Sequence, residues 1–207
     1  MNILDTLKKA IIAGMFISLG CIVNLKVGGD LGAFLFSFGL FSVVLYGVPL
    51  FTGKAGFCES IKDIKYLPIV LLGNILGTFI FGICTYLCFP SLVDKASVIL
   101  SSRINTPIYT ALFASILCGF VMTTIVRFTR KQVQKEGDER RFLLLILGIP
   151  LFILSGYWHS IADAFYYICA MTFDPNLLWL YPVTVIGNYI GCNLYNIITQ
   201  NSVIFRT

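Results

Sequence analysis

The chain has 207 residues, 57% of them hydrophobic and 12% charged, with a formal net charge of +5. A mean hydropathy of +0.88 excludes a soluble domain and predicts an integral membrane protein whose solvent is the lipid bilayer. The positive balance is what basic loops on one side of a membrane produce, so no nucleic-acid partner is implied. Cys21, Cys58, Cys84, Cys88, Cys118, Cys169 and Cys192 sit mostly in apolar segments without metal-ligand spacing. They read as small packed hydrophobes, with no disulfide framework, metal or cofactor.

Only "MNILDTLKK" precedes the first apolar run, which lacks a small-residue cleavage site and reads as a retained first helix. Six segments approach the ~20 apolar residues that a spanning helix needs, at 7–25, 31–51, 66–89, 106–127, 142–171 and 178–200. Polar stretches join them, among them "VDKASVILSSRINTP" and "RFTRKQVQKEGDERR". With the N-terminus inside, the cytoplasmic side holds Lys8, Lys9, Lys62, Lys65, Arg127, Arg130, Lys131, Lys135, Arg140, Arg141 and Arg206, against Lys26, Lys95 and Arg103 outside. The positive-inside rule therefore predicts both termini in the cytoplasm.

"LLGNILG" (71–77) in the third span recurs as "VIGNYIG" (185–191) in the sixth. Three spans per half predict an inverted 3+3 repeat within one transmembrane domain, 1–207, with halves at about 1–90 and 104–207. Each middle span carries a break. "GVPLFTGK" (47–54) contains Gly47, Pro49 and Gly53, and "LSGYWHSIAD" (154–163) contains Gly156. In a bilayer, non-helical backbone survives only against protein or a water-filled cavity, so paired breaks argue for a pathway.

Three ionisable residues fall at these breaks: Lys54, His159 and Asp163. Such groups inside a membrane are functional candidates by default. His159 and Asp163 share a helix face if the segment is helical. Lys54 either snorkels to the interface near Glu59 and Lys62, faces a substrate, or pairs across the breaks with Asp163. Pairing is the expectation adopted here. The hydroxyl of Thr52 can donate to an anion or to His159, which together make a small-anion station. Phe36, Leu40, Leu50, Phe51 and Phe152 surround these positions and are candidates for dry constrictions, or for ordinary helix packing.

"AGMFISLG" (13–20), "FSFGLFSVVLYGVPLFTGK" (36–54), "LLGNILG", "SGYWHSIAD" (155–163) and "VIGNYIGC" (185–192) together resemble the formate/nitrite transporter family, which includes hydrosulfide and lactate channels. The resemblance implies an all-α, aquaporin-like homopentamer with broken second and fifth helices and one pore per protomer. It implies small monovalent anions, or their conjugate acids, as substrate. Thr52 matches the family threonine of the first broken helix and His159 its central histidine. Phe36, Leu40, Leu50 and Phe152 fall at constriction positions, and Gly53, Gly156, Asn74 and Asn188 at positions of helix breaking and packing. Arg103 stands for the family's vestibule lysine.

The sequence also departs from that pattern. Pro49 replaces an acidic residue, Lys54 an asparagine, Trp158 a glutamate, Asp163 an asparagine, and Gly119 the asparagine of the fourth span. The implied mechanism draws an anion into a basic vestibule, then passes it through the dry zone either with a proton added or with its charge met by the Thr-His pair. Two other functions fit the same residues. One is a transport-dead sensor or scaffold plugged by a Lys54–Asp163 pair; the other is an intramembrane enzyme using His159 and Asp163. The enzyme has neither a nucleophile motif nor a metal-ligand set, so the expectation is a channel in the plasma (inner) membrane, not an enzyme.

Overall fold

The computed structural model describes residues 2–58, 60–133 and 140–198, without the side chains of 130–133, 140 and 141. Glu59, Lys135, Arg206 and positions 199 and 200 of the sixth expected span therefore lie outside the description, as do the side chains of Arg130, Lys131, Arg140 and Arg141.

Among the described residues the chain forms α1 (Ile3–Val27), α2 (Gly29–Leu45), α3 (Phe51–Lys54) with a 3-10 turn after it (Ala55–Phe57), α4 (Ile61–Cys88), α5 (Pro90–Ile104), α6 (Ile108–Val133), α7 (Arg140–Leu154), α8 (Ser160–Ala170) and α9 (Leu177–Ile198). Local chemistry starts several of them. The Asn2 side chain accepts from the Leu4 N–H to open α1. Ser60 and Asp63 form a reciprocal capping box at α4, and Pro90 occupies the first turn of α5.

Ile3–Val27, Ile61–Cys88 and Ile108–Thr129 are each long and apolar enough to cross a membrane. The second expected span is interrupted between α2 and α3, which begins at its last residue, and the fifth between α7 and α8. After Leu67 and Val70 the buried face of α4 is Gly73, Asn74, Gly77, Thr78, Gly82 and Thr85, while Leu72, Leu76, Phe79 and Ile80 point outward. Small and polar inside with large apolar outside is the polarity of a helix packed in lipid, where close backbone approach replaces hydrophobic burial as the adhesive. Within the protein α1 packs along α4, and α6 along α9.

The two breaks repeat one another bond for bond. At the first, N–H groups of Tyr46, Gly47 and Val48 donate to Ser42, Val44 and Val43; at the second, those of Ser155, Gly156 and Tyr157 donate to Leu151, Ile153 and Phe152. Gly47 (φ 62°) and Gly156 (φ 70°) take the left-handed turn, a conformation cheap only for glycine. Gly53, expected to break the helix, instead lies inside α3. The left-handed residue of that break is Gly47, which turns the chain before the new helix starts.

Each break exposes backbone polar groups that an apolar interior would penalise, and an asparagine satisfies them. Asn74 Oδ1 accepts from the Phe51 N–H at 2.8 Å, while its Nδ2 donates to Pro49 O at 3.1 Å and Ala10 O at 2.8 Å. Asn188 Oδ1 accepts from the Ser160 N–H at 2.8 Å, and its Nδ2 donates to Trp158 O at 2.8 Å and Ser115 O at 2.9 Å. The first residue of each short helix, the carbonyl two residues before it and one carbonyl of the neighbouring long helix are thus tied to one amide. Gly14 and Gly119 make room for these clamps: a Cβ on either would collide with the carbonyl of Asn74 or Asn188 respectively. Gly119, read above as standing for the asparagine of the fourth span, is therefore a packing position between α6 and α9.

One element departs from the expectation of a polar connection. Residues 90–104 form α5, an amphipathic helix burying Leu92, Ala96 and Leu100 and packing on α8. Lys95 anchors it, its Nζ donating to Leu25 O at 2.7 Å at the end of α1.

Asn74→Leu and Asn188→Leu each remove three buried hydrogen bonds and leave backbone groups unpaired, a loss of about 2–4 kcal/mol. Thermal unfolding in detergent is expected to shift down by several degrees for each; wild-type melting of both variants would show that the clamps are dispensable.

Candidate functional site

The second break places His159 as the N-cap of α8, with extended backbone and its ring turned back on the helix. The Ala162 N–H donates to His159 Nδ1 at 3.3 Å. An amide N–H can only donate, so Nδ1 is an unprotonated acceptor, and the neutral ring carries its proton on Nε2. Nε2 lies 2.9 Å from Thr52 Oγ1 on α3. The imidazole therefore donates to the threonine, and the threonine's own proton is left to donate elsewhere. Both side chains are buried, Thr52 at 0% and His159 at 1% exposure. Cys192 on α9 holds the α3 backbone in place, its Sγ donating to Thr52 O at 3.2 Å.

Two cavities that share no lining residue adjoin this pair, one reaching His159 itself and the other Leu50 and Gly53 on either side of Thr52 in sequence. One, of about 340 Å³ on the α5 side, is lined by Phe36, Arg103, Phe152, Trp158, His159 and Asp163 among others. The other, of about 120 Å³ on the α3 side, is lined by Leu40, Val43, Leu50, Gly53, Lys54 and Thr129 among others. Phe36 and Leu40 sit one turn apart on α2, one against each cavity. Phe36 and Phe152 meet edge to face with centroids 5.8 Å apart, and Phe152 stands 5.7 Å from the His159 ring. Phe36, Phe152, Leu40 and Leu50, all buried, therefore separate the cavities with apolar surface that the Thr52–His159 pair interrupts. Phe51 lines neither cavity; it is buried and contributes the backbone N–H held by Asn74.

The expected Lys54–Asp163 pair is not the one formed. Asp163 Oδ1 lies 3.4 Å from Arg103 Nη2, on the α5 side, whereas Lys54 lines the α3-side cavity and a neighbouring one with Cys58, Asp63 and Tyr66. The reason is positional. Lys54 is the fourth residue of α3 and Asp163 the fourth of α8, so the repeated break carries them to opposite sides of the apolar zone. The plug postulated from that pair has no counterpart here. Nor does Asp163 orient His159, as an enzyme would require, because the imidazole's Nδ1 is taken by the Ala162 amide.

Arg103 is delivered by α5, and the break wraps it. Its guanidinium approaches Gly156 O and Tyr157 O at 3.5 Å and lies 4.3 Å from the centroid of the Trp158 ring, a cation–π contact. The partnership with Trp158 and Asp163 was not apparent from the sequence, since Arg103 sat in a stretch read as a loop. The alternation of Leu92, Ala96 and Leu100 at helical spacing was the available signal. The clamping asparagines were marked by the repeated Gly-Asn motif and read as helix-break and packing positions, but their backbone partners were not named.

A family model described as "Formate/nitrite transporter" matches residues 1–201. Among solved structures, the chain is similar to a pentameric formate channel with formate bound, with a TM-score of 0.77, 20% identity and coverage of 99% of this chain and 98% of that one. It is also similar to an FNT family ion channel, with a TM-score of 0.75, 22% identity and coverage of 96% and 88%. No curated protein matches the chain in sequence. The structural likeness shows a shared fold, and the family model's match along nearly the whole sequence places the chain in the formate/nitrite transporter family.

Proposed function

We propose that the chain is a membrane channel for small monovalent anions or their conjugate acids, of the formate, nitrite and hydrosulfide class. The observation that carries this reading is the arrangement of two cavities on either side of a buried apolar zone, with the Thr52–His159 hydrogen bond inside it. The solved relative with formate bound supports formate as the first substrate to test, and its pentameric state supports a homopentamer with one pore in each protomer. The matching hydrogen bonds at the two breaks support six spans in an inverted 3+3 repeat within one transmembrane domain. The basic side of that arrangement supports cytoplasmic termini in the plasma (inner) membrane.

In this reading an anion enters the α5-side cavity beside Arg103 and meets the Phe36–Phe152 constriction. A bare anion loses several kcal/mol of hydration on entering such a zone. Thr52 offsets part of that loss, because its oxygen is already engaged by His159 Nε2–H and its proton is therefore directed at the passing ligand. His159 acts by holding this polarity, since a second proton on the ring would have to displace the Ala162 amide from Nδ1. A species that carries its own proton crosses the same zone at lower cost, which is how proton-linked permeation would arise. Leu40 and Leu50 form the exit toward the α3-side cavity.

The test is formate flux into proteoliposomes. Thr52→Val keeps the shape and removes the hydroxyl; losing one hydrogen bond to a charged species predicts a roughly ten- to hundredfold fall in flux. His159→Ala is expected to fall comparably, because it frees the threonine proton to turn toward backbone. Wild-type flux in both variants would remove the station from the mechanism, and absence of formate, nitrite and hydrosulfide flux in the wild type would end the channel reading.

A further inference from the structure

The partly buried cation of the α5-side cavity already has an anion beside it. Arg103 and Asp163 both line that cavity, their side chains 14% and 1% exposed. The contact is not a close fork. One oxygen, Oδ1, reaches Nη2 at 3.4 Å, the carbonyl contacts of the guanidinium are at 3.5 Å, and Asp163 Oδ2 is buried without any hydrogen-bond partner. Every contact of Arg103 toward the cavity is therefore long, and its five N–H donors are incompletely used. Trp158 covers one face of the guanidinium, and Asp163 meets its edge through Nη2.

We propose that Asp163 is a specificity-determining residue: a fixed carboxylate that shares Arg103 with the arriving anion and keeps anion binding in the α5-side cavity weak and quickly reversible. The inference rests on reading that cavity as an anion pathway. A monovalent anion at the guanidinium edge sits within a few ångströms of a second negative charge, and the attraction of Arg103 is divided between them. Conduction benefits, because a pore site must attract an ion without retaining it. An arginine stays charged under all conditions, and alone at the cavity wall it would hold anions tightly. Asp163 is the counterweight. An uncharged ligand of the same size feels no such competition.

Trp158, 4.3 Å from the guanidinium, provides the readout. With Trp179 replaced by Phe, its fluorescence in the purified full-length protein is titrated with formate and with formamide, an uncharged molecule of similar size. Asp163→Asn is expected to tighten formate binding about tenfold, the effect of removing one charge beside an arginine, and to leave formamide unchanged; Arg103→Gln is expected to abolish saturable formate binding. Unchanged or weaker formate binding in Asp163→Asn, or an equal change for both ligands, overturns the proposal, as does absence of a saturable formate response in both wild type and Asp163→Asn. Asp163→Ser serves in the same way if the asparagine variant fails to fold. Tightened binding without formate flux would sink the channel reading and leave the role of Asp163 standing; flux with unchanged binding would do the reverse.

Discussion

A carboxamide buried against each interrupted helix is the constraint on which the remaining structure depends. Backbone in lipid must satisfy its own polar groups, and a helix that stops at Leu45 and resumes at Phe51, or stops at Leu154 and resumes at Ser160, leaves such groups at membrane depth. Asn74 and Asn188 meet that demand from neighbouring long helices, each taking one N–H and giving two bonds to carbonyls. With the breaks so held, Thr52 and His159 come within 2.9 Å of one another from opposite halves of the sequence. The station is thus a by-product of the clamps: without them the short helices have no fixed starting points.

The same repetition distributes charge. Equivalent fourth positions of α3 and α8 carry Lys54 and Asp163, of opposite sign, and the repeat sends them to opposite cavities. Asp163 finds Arg103 there, so the α5 side presents a partly neutralised cation in place of a bare one. On the proposed channel reading, two separate features would set selectivity: the charge balance at the cavity wall would govern how strongly anions collect, and the polarised hydroxyl in the apolar zone which of them cross.

Much of the fold was legible because membrane insertion writes it in composition: long apolar segments, two Gly/Pro interruptions and a repeated Gly-Asn motif. The resemblance singled out Thr52, His159, Phe36, Leu40, Leu50 and Phe152; all are buried, and the first two share a hydrogen bond. What failed was distance. Lys54 and Asp163 were paired because two lone charges in hydrocarbon invite pairing, but sequence does not say on which side of a constriction each falls. The first break was spread over Gly47, Pro49 and Gly53, whereas the positive φ belongs to Gly47 alone of the three. The helix at 90–104 was taken for a loop because its apolar stripe is too narrow and too short to span, and with it went the source of Arg103.

His159 is the only histidine in the chain, so nitrogen NMR of histidine-labelled protein reports on the station without any assignment problem. The account predicts a neutral ring protonated at Nε2, with Nδ1 showing the shift of a hydrogen-bond acceptor, and an Nε2 resonance that moves when formate is added and stays in place when it is added to Thr52→Val. A ring protonated at Nδ1, or an Nε2 resonance indifferent to formate in the wild type, would contradict it.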